Sequence, residues 1–213
     1  MVTKSRIEQA RSRTLLIVLV IDVLLIVVTM LKSHPSIWSE FDGEMNIWTF
    51  GNAVQMVLVS VAAYANYLMV AGDKSKRAWV WAILALVFLC FAFDDMQMLH
   101  ERGGHAIEGA APFLSRQNIV LYMDDLLALA YTMVGAIFGL AFLKNAGGGR
   151  KAIKPYMLGI VAMLAATMIG LSPSVKTIPF PLAVIQILQL VSVYCFLIGF
   201  LNSLAENVGS ASR

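Results

Sequence analysis

The chain has 213 residues, of which 59% are apolar and 14% charged, and a formal net charge of +3. With a mean hydropathy of +0.77, that composition excludes a soluble globular domain as the bulk of the chain. The slight positive excess sits in short loops, where it reports topology, and it excludes a nucleic-acid-binding surface.

The basic leader MVTKSRIEQARSR runs into a first apolar stretch, Thr14 to Leu31. The stretch is long, and SHPSIW after it offers no small-x-small cleavage site, so it is read as a membrane anchor and not as a signal peptide. Asp22 lies about midway along it, with no cationic side chain at comparable depth in any other apolar run. Two readings remain open for Asp22: a neutral, protonated acid hydrogen-bonded to Asn66, Tyr64, Ser60 or Ser192, or a proton-relay carboxylate.

Residues 33–50 carry Trp38, Phe41, Trp48 and Phe50, the composition of a segment lying at a membrane interface. The second apolar run, Asn52 to Ala71, places Gln55 near its start, and the short loop DKSKR leads to the third run, Trp79 to Leu99. That third run ends in the most unusual stretch of the chain, FAFDDMQMLHERGGHAIE, from Phe91 to Glu108.

Asp94 and Asp95 precede the end of the third run by about five residues, which at ~1.5 Å per residue puts them several ångströms inside the hydrocarbon. Ionisable groups there cost at least ~2.5 kcal/mol without a partner or a wet cavity. Asp94, Glu101, His105 and Glu108 share one helical face if the helix continues through Gly103 and Gly104. A glycine pair costs up to ~2 kcal/mol relative to alanine and is the expected place for that helix to end. In that case Asp94, Gln97 and Glu101 keep the shared face, and His100 and His105 return through a loop.

Residues 102–118 form a second interfacial segment. The fourth run, Ile119 to Leu143, places Asp124 and Asp125 five or six residues from its start, at a depth expected to match Asp94 and Asp95. Two adjacent acid pairs repel unless protonated or bridged by a cation, so a proton, a metal or an arginine such as Arg102 or Arg116 is required there. The loop KNAGGGRKAIKP leads to a fifth run, Tyr156 to Leu171, the shortest, and the sixth, Leu182 to Leu201, adds Gln186 and Gln189 to the same polar layer.

Six runs near the roughly 20 residues of a transmembrane helix predict an all-α integral membrane protein: one polytopic domain, a bundle of about six helices spanning residues 1–213. Twelve lysines and arginines fall in the leader, the two loops just quoted and the C-terminus, against four (Lys32, Arg102, Arg116 and Lys176) on the other side. Both termini are therefore expected in the cytoplasm, in a bacterial-type inner membrane with the acidic and histidine cluster on its outer face.

Carboxylates with imidazoles are common transition-metal ligands, and helical bundles project them inward from facing helices. The candidate ligands are Asp94, Asp95, His100, Glu101, His105, Asp124 and Asp125, with Asp22 and Glu108 as proton-relay candidates. Zinc and iron both suit such a set, and Met96, Met98 and Met123 nearby admit copper. Cys90 and Cys195 lie inside apolar runs, where a thiol behaves as a small hydrophobe, and no disulfide is indicated.

No lysine lies in any apolar run, which excludes a retinal Schiff base. His34, His100 and His105 all lie away from the membrane centre, which argues against a haem held by paired histidines. A Gly-rich phosphate loop, G-x-S-x-G and H-E-x-x-H are absent. The expected function is a membrane metalloprotein, as a metal-dependent enzyme acting on a hydrophobic or lipid-like molecule. The alternatives are a proton- or cation-coupled transporter and an accessory subunit that partners other membrane subunits.

Overall fold

The computed structural model describes residues 4–31, 47–72, 78–110, 126–127, 129–133, 135–137, 139, 150–171 and 179–211. Its helices are α1 (Lys4–Leu31), α2 (Ile47–Val70), α3 (Ala78–Gln97), α4 (Leu99–Ala110), α5 (Arg150–Gly170) and α6 (Pro179–Ala211). The described positions between 126 and 139 are helical too, and no strand occurs among the described residues. Among them, Trp48–Val70, Ala78–Gln97, Ala152–Gly170 and Ala183–Gly209 are long and apolar enough to cross a membrane. The protein is thus an all-helical membrane protein. Its outward-facing side chains agree: Leu16, Ile17, Val61, Leu68, Leu86, Phe93, Leu158, Val161 and Met168 are all exposed, as a lipid-facing belt requires.

α2 packs against α3 and α6, α5 runs along α6, and α1 leans chiefly on α6. Lipid tails are as apolar as leucine, so close packing and interhelical hydrogen bonds must hold such a bundle together. The packing is aromatic where α3, α5 and α6 meet. Trp81 and Phe88 both set ring edges against Phe200, at centroid distances of 5.4 and 5.6 Å, and Tyr156 stacks on Phe200 at 5.8 Å. Gly159 lets α5 and α6 approach until Ser192 Oγ donates to the Gly159 carbonyl at 2.8 Å.

Hydrogen bonds add cross-links. Asn66 of α2, fully buried, donates to the carbonyls of Ala62 and Phe200, both at 2.9 Å, and accepts from Asn207 of α6 at 2.9 Å. Tyr194 OH donates to the Leu15 carbonyl at 3.1 Å, and Arg11 donates to Asn202 at 2.9 Å, both joining α1 to α6. Ser60 Oγ donates to the Ala85 carbonyl at 2.6 Å, joining α2 to α3.

Both segments read as interfacial contribute residues to helices. α2 starts at Ile47, inside the first of them, and Trp48 is fully buried beside Ala183, Leu190 and Ile26. In the second segment, residues 102–110 belong to α4, while residues 33–46 and 111–118 lie outside the described residues.

Candidate functional site

The chain breaks between α3 and α4 at Met98, whose φ of 51° is left-handed. That conformation costs a residue with a Cβ roughly 1–2 kcal/mol, so something nearby must offset it. Asp94 does so. Its Oδ1 accepts the backbone N–H of His100 at 2.9 Å, capping the first turn of α4, and its Oδ2 meets His100 Nδ1 at 2.9 Å. The ladder resumes when the Arg102 N–H donates to the Met98 carbonyl at 3.0 Å.

The helix passes through Gly103 and Gly104 and breaks five residues earlier than the glycine pair suggested. The reset of helical phase removes the condition for the stripe Asp94, Glu101, His105 and Glu108, which required one continuous helix. His100 comes to Asp94, whereas His105 is exposed. Glu101 and Glu108 belong to α4, but their side chains lie outside the described residues, as do Asp124 and Asp125 entirely.

α2 supplies two amides one turn apart, Asn52 and Gln55, at 4% and 3% exposure. Asn52 Nδ2 donates to Asp95 Oδ2 of α3 at 2.7 Å, and Gln55 Nε2 donates to Asp22 Oδ1 of α1. The partner of Asp22 is therefore Gln55. Of the residues anticipated for that role, Ser60 and Ser192 turn their hydroxyls to carbonyls of neighbouring helices, Asn66 bonds to the Ala62 and Phe200 carbonyls and to Asn207, and Tyr64 is exposed beside Tyr67. Since each amide directs its N–H toward a carboxylate, the oxygens Asn52 Oδ1 and Gln55 Oε1 remain buried with no hydrogen-bond partner among the described residues. Asn52 was not among the residues singled out from sequence; its place three positions before Gln55, on the same helical face, is the signal that would have found it.

A cavity of about 530 Å³ opens beside this cluster. Asn52, Asp94, Asp95, His100 and Gln189 line it where α3 meets α4, and Phe88, Phe91, Ile160, Val193 and Phe196 form apolar walls. Small residues keep it open: Thr132, Gly135, Ala136 and Gly139 face it from the helical positions between 131 and 139. A Cβ at Gly139 would collide with the Tyr156 hydroxyl, which lies at the cavity's other end. Cys90 lines both this cavity and an apolar hollow of about 620 Å³ between α2 and α3.

Among the described residues, no three histidine, cysteine, aspartate or glutamate side chains are grouped to hold a metal ion. Asp94 instead holds His100, and Asp95 holds Asn52. Leu127 lies close to α4, its Cδ1 3.7 Å from where a Cβ on Gly103 would stand.

No curated protein matches the chain, and no solved structure matches it. A family model described as "Domain of unknown function (DUF8692)" matches residues 9–199, nearly the whole bundle, and the chain belongs to that family.

Proposed function

We propose that the protein binds one lipid-like molecule in the cavity and that the Asp94–His100 pair exchanges a proton with that molecule's polar group. One observation carries the reading: an apolar cavity gathers two carboxylates, an imidazole and two amides at the end where α3 meets α4. Ligand sites have this character, with apolar walls that supply binding and a few convergent polar groups that fix orientation. With Asp94 ionised, His100 Nδ1 carries the proton of their hydrogen bond, and the lone pair of a neutral ring falls on Nε2. An imidazole held in that tautomer is suited to general acid–base work. The hollow that shares Cys90 with the cavity supports arrival of the molecule sideways from the bilayer.

A second reading adds a transition metal, zinc, iron or copper, held by Asp94, Asp95 and His100 with Asp124 and Asp125. The position of Leu127 against Gly103 favours it, because Asp124 and Asp125 lie three and two residues before Leu127 in the chain. One preparation tests both readings. Solvent extraction of purified wild-type protein is expected to yield one chain-bearing molecule per protein, and Gly135→Leu, which fills the cavity, is expected to lose it without unfolding. Equal yields from the two proteins would end the first reading. Stoichiometric metal in the same sample would establish the second, and its absence after chelator-free purification would remove it.

The proposed topology has six spans with both termini in the cytoplasm of a bacterial-type inner membrane and the α3–α4 junction outside, supported by the twelve-to-four lysine and arginine bias. Among the described residues, Gly109 and Gly72 have nothing within 4 Å of an added Cβ, so each accepts a cysteine in a Cys90→Ala, Cys195→Ala background. An impermeant maleimide added outside intact cells is expected to label position 109 and to miss position 72. The reverse pattern would invert the topology.

A further inference from the structure

We infer that the cavity is a slot that measures its occupant: it takes an extended hydrocarbon chain about one membrane leaflet long, and Tyr156 is the floor that sets the longest chain accepted. The inference rests on the proposed function, because it names the feature of the lipid-like molecule that the same cavity selects. The lining residues run lengthwise along their helices, on α3 from Ile83 to Asp95 and on α5 from Tyr156 to Thr167. At ~1.5 Å per residue those stretches measure roughly 16–18 Å, against roughly 15 Å for half of a ~30 Å hydrocarbon core. Ring and hydroxyl contacts order the slot into tiers. Asp94 meets His100 at the polar end, and Thr132 Oγ1 stands 3.3 Å from Thr167 Oγ1. Further in, Phe88 meets Phe196 at 5.4 Å, and Phe196 meets Tyr156 at 4.9 Å.

Tyr156 closes the deep end. It is buried, and it reaches across from α5 until its hydroxyl fills the space that a Cβ on Gly139 would need. Its ring is backed by Phe200, stacked at 5.8 Å, and Phe200 and Trp81 are fully buried. An interior packed in this way takes in added methylenes only by strain. The slot is open along one side, where Ile83, Leu86 and Cys90 line it and are exposed. Depth, and not volume, therefore selects the occupant: a chain longer than the slot must press on the Tyr156 ring or kink out through that side. Ile160 lies one turn above Tyr156 on the same face of α5 and also lines the slot, so a larger side chain there raises the floor.

The test uses the full chain in nanodiscs of zwitterionic lipid, with the straight-chain alcohols from decanol to docosanol as probes, which share one head group and differ only in length. Native mass spectrometry counts bound alcohol at equal loading. Binding to the wild type is expected to hold up to a limiting length and to fall at least about tenfold beyond it. Ile160→Phe is expected to move that limit to shorter alcohols, and Tyr156→Leu, which lowers the floor, to longer ones. Tyr156→Phe keeps the ring and is expected to keep the limit. A purely structural role for these residues would weaken every length together. If the wild type shows no limit, or if Ile160→Phe leaves the limit in place, the floor inference fails while the cavity reading stands. Should Tyr156→Leu not fold, because it leaves a gap beside Phe196 and Phe200, Ile160→Phe and the wild-type limit decide. If the wild type binds no alcohol of any length, or if Gly135→Leu binds them all unchanged, both fail.

Discussion

Gly159→Val is expected to destabilise the protein by about 3 kcal/mol, the upper end of the usual cost of overpacking. A Cβ at this position would stand 2.7 and 2.8 Å from two ring carbons of Phe196 and 2.9 Å from the Ser192 carbonyl oxygen. The ring has no free direction to yield. Phe196 sits between Tyr156, 4.9 Å away, and Phe88, 5.4 Å away. The carbonyl belongs to the backbone of α6, so relief requires α5 and α6 to separate, which breaks the Ser192 bond to Gly159 and loosens the aromatic centre. Gly109→Ala is the control, since no described residue lies within 4 Å of its new methyl and alanine is the better helix former by about 1 kcal/mol. Heating both variants in detergent and following monomer loss by size exclusion gives the comparison. Equal midpoints would show that the two helices do not approach as described.

Asp94→Ala is expected to uncouple α4 from α3 and, on the proposed function, to end proton exchange with the bound molecule. Two contacts disappear together, the cap on the His100 N–H and the hydrogen bond to its ring. Hydrogen bonds to charged groups contribute roughly 1.5–3 kcal/mol each, and the left-handed turn at Met98 loses what offset it. Amide exchange measured by mass spectrometry should rise over residues 99–102 while α2 and α6 keep their protection. Asp94→Asn separates the two roles, because its side-chain oxygen can still accept the His100 N–H although the charge facing the imidazole is gone. It should retain slow amide exchange and, on the proposed function, still lose proton exchange with the bound molecule. If the alanine variant exchanges like the wild type, the junction does not depend on Asp94.

Four of the apolar runs near the length of a membrane span meet helices long and apolar enough to cross a membrane, because burial in lipid leaves a backbone few other choices. The depth of Asp94 and Asp95 pointed to a polar layer, and both line the cavity. What sequence reasoning missed is the break at Met98. Local propensity marks glycine, and Gly103–Gly104 looked like the stop, but the helix passes them and turns at a methionine because a carboxylate four residues earlier captures the next free N–H. That choice depends on a side chain reaching along its own chain, which composition does not encode. The cavity was equally hidden. It exists because Thr132, Gly135, Ala136 and Gly139 face larger side chains on three other helices, and only the packed bundle reveals which small residues face space and which face lipid.

Asn66 imposes an order on biogenesis. Its side chain emerges from the ribosome with α2, yet the Phe200 carbonyl and the Asn207 amide that complete its bonding belong to α6, more than 130 residues downstream. Until α6 enters the membrane, α2 must hold a polar amide with only its own Ala62 carbonyl in reach. α6 therefore completes the bonding of Asn66, and a nascent chain halted before it would leave that amide half-satisfied inside the bilayer.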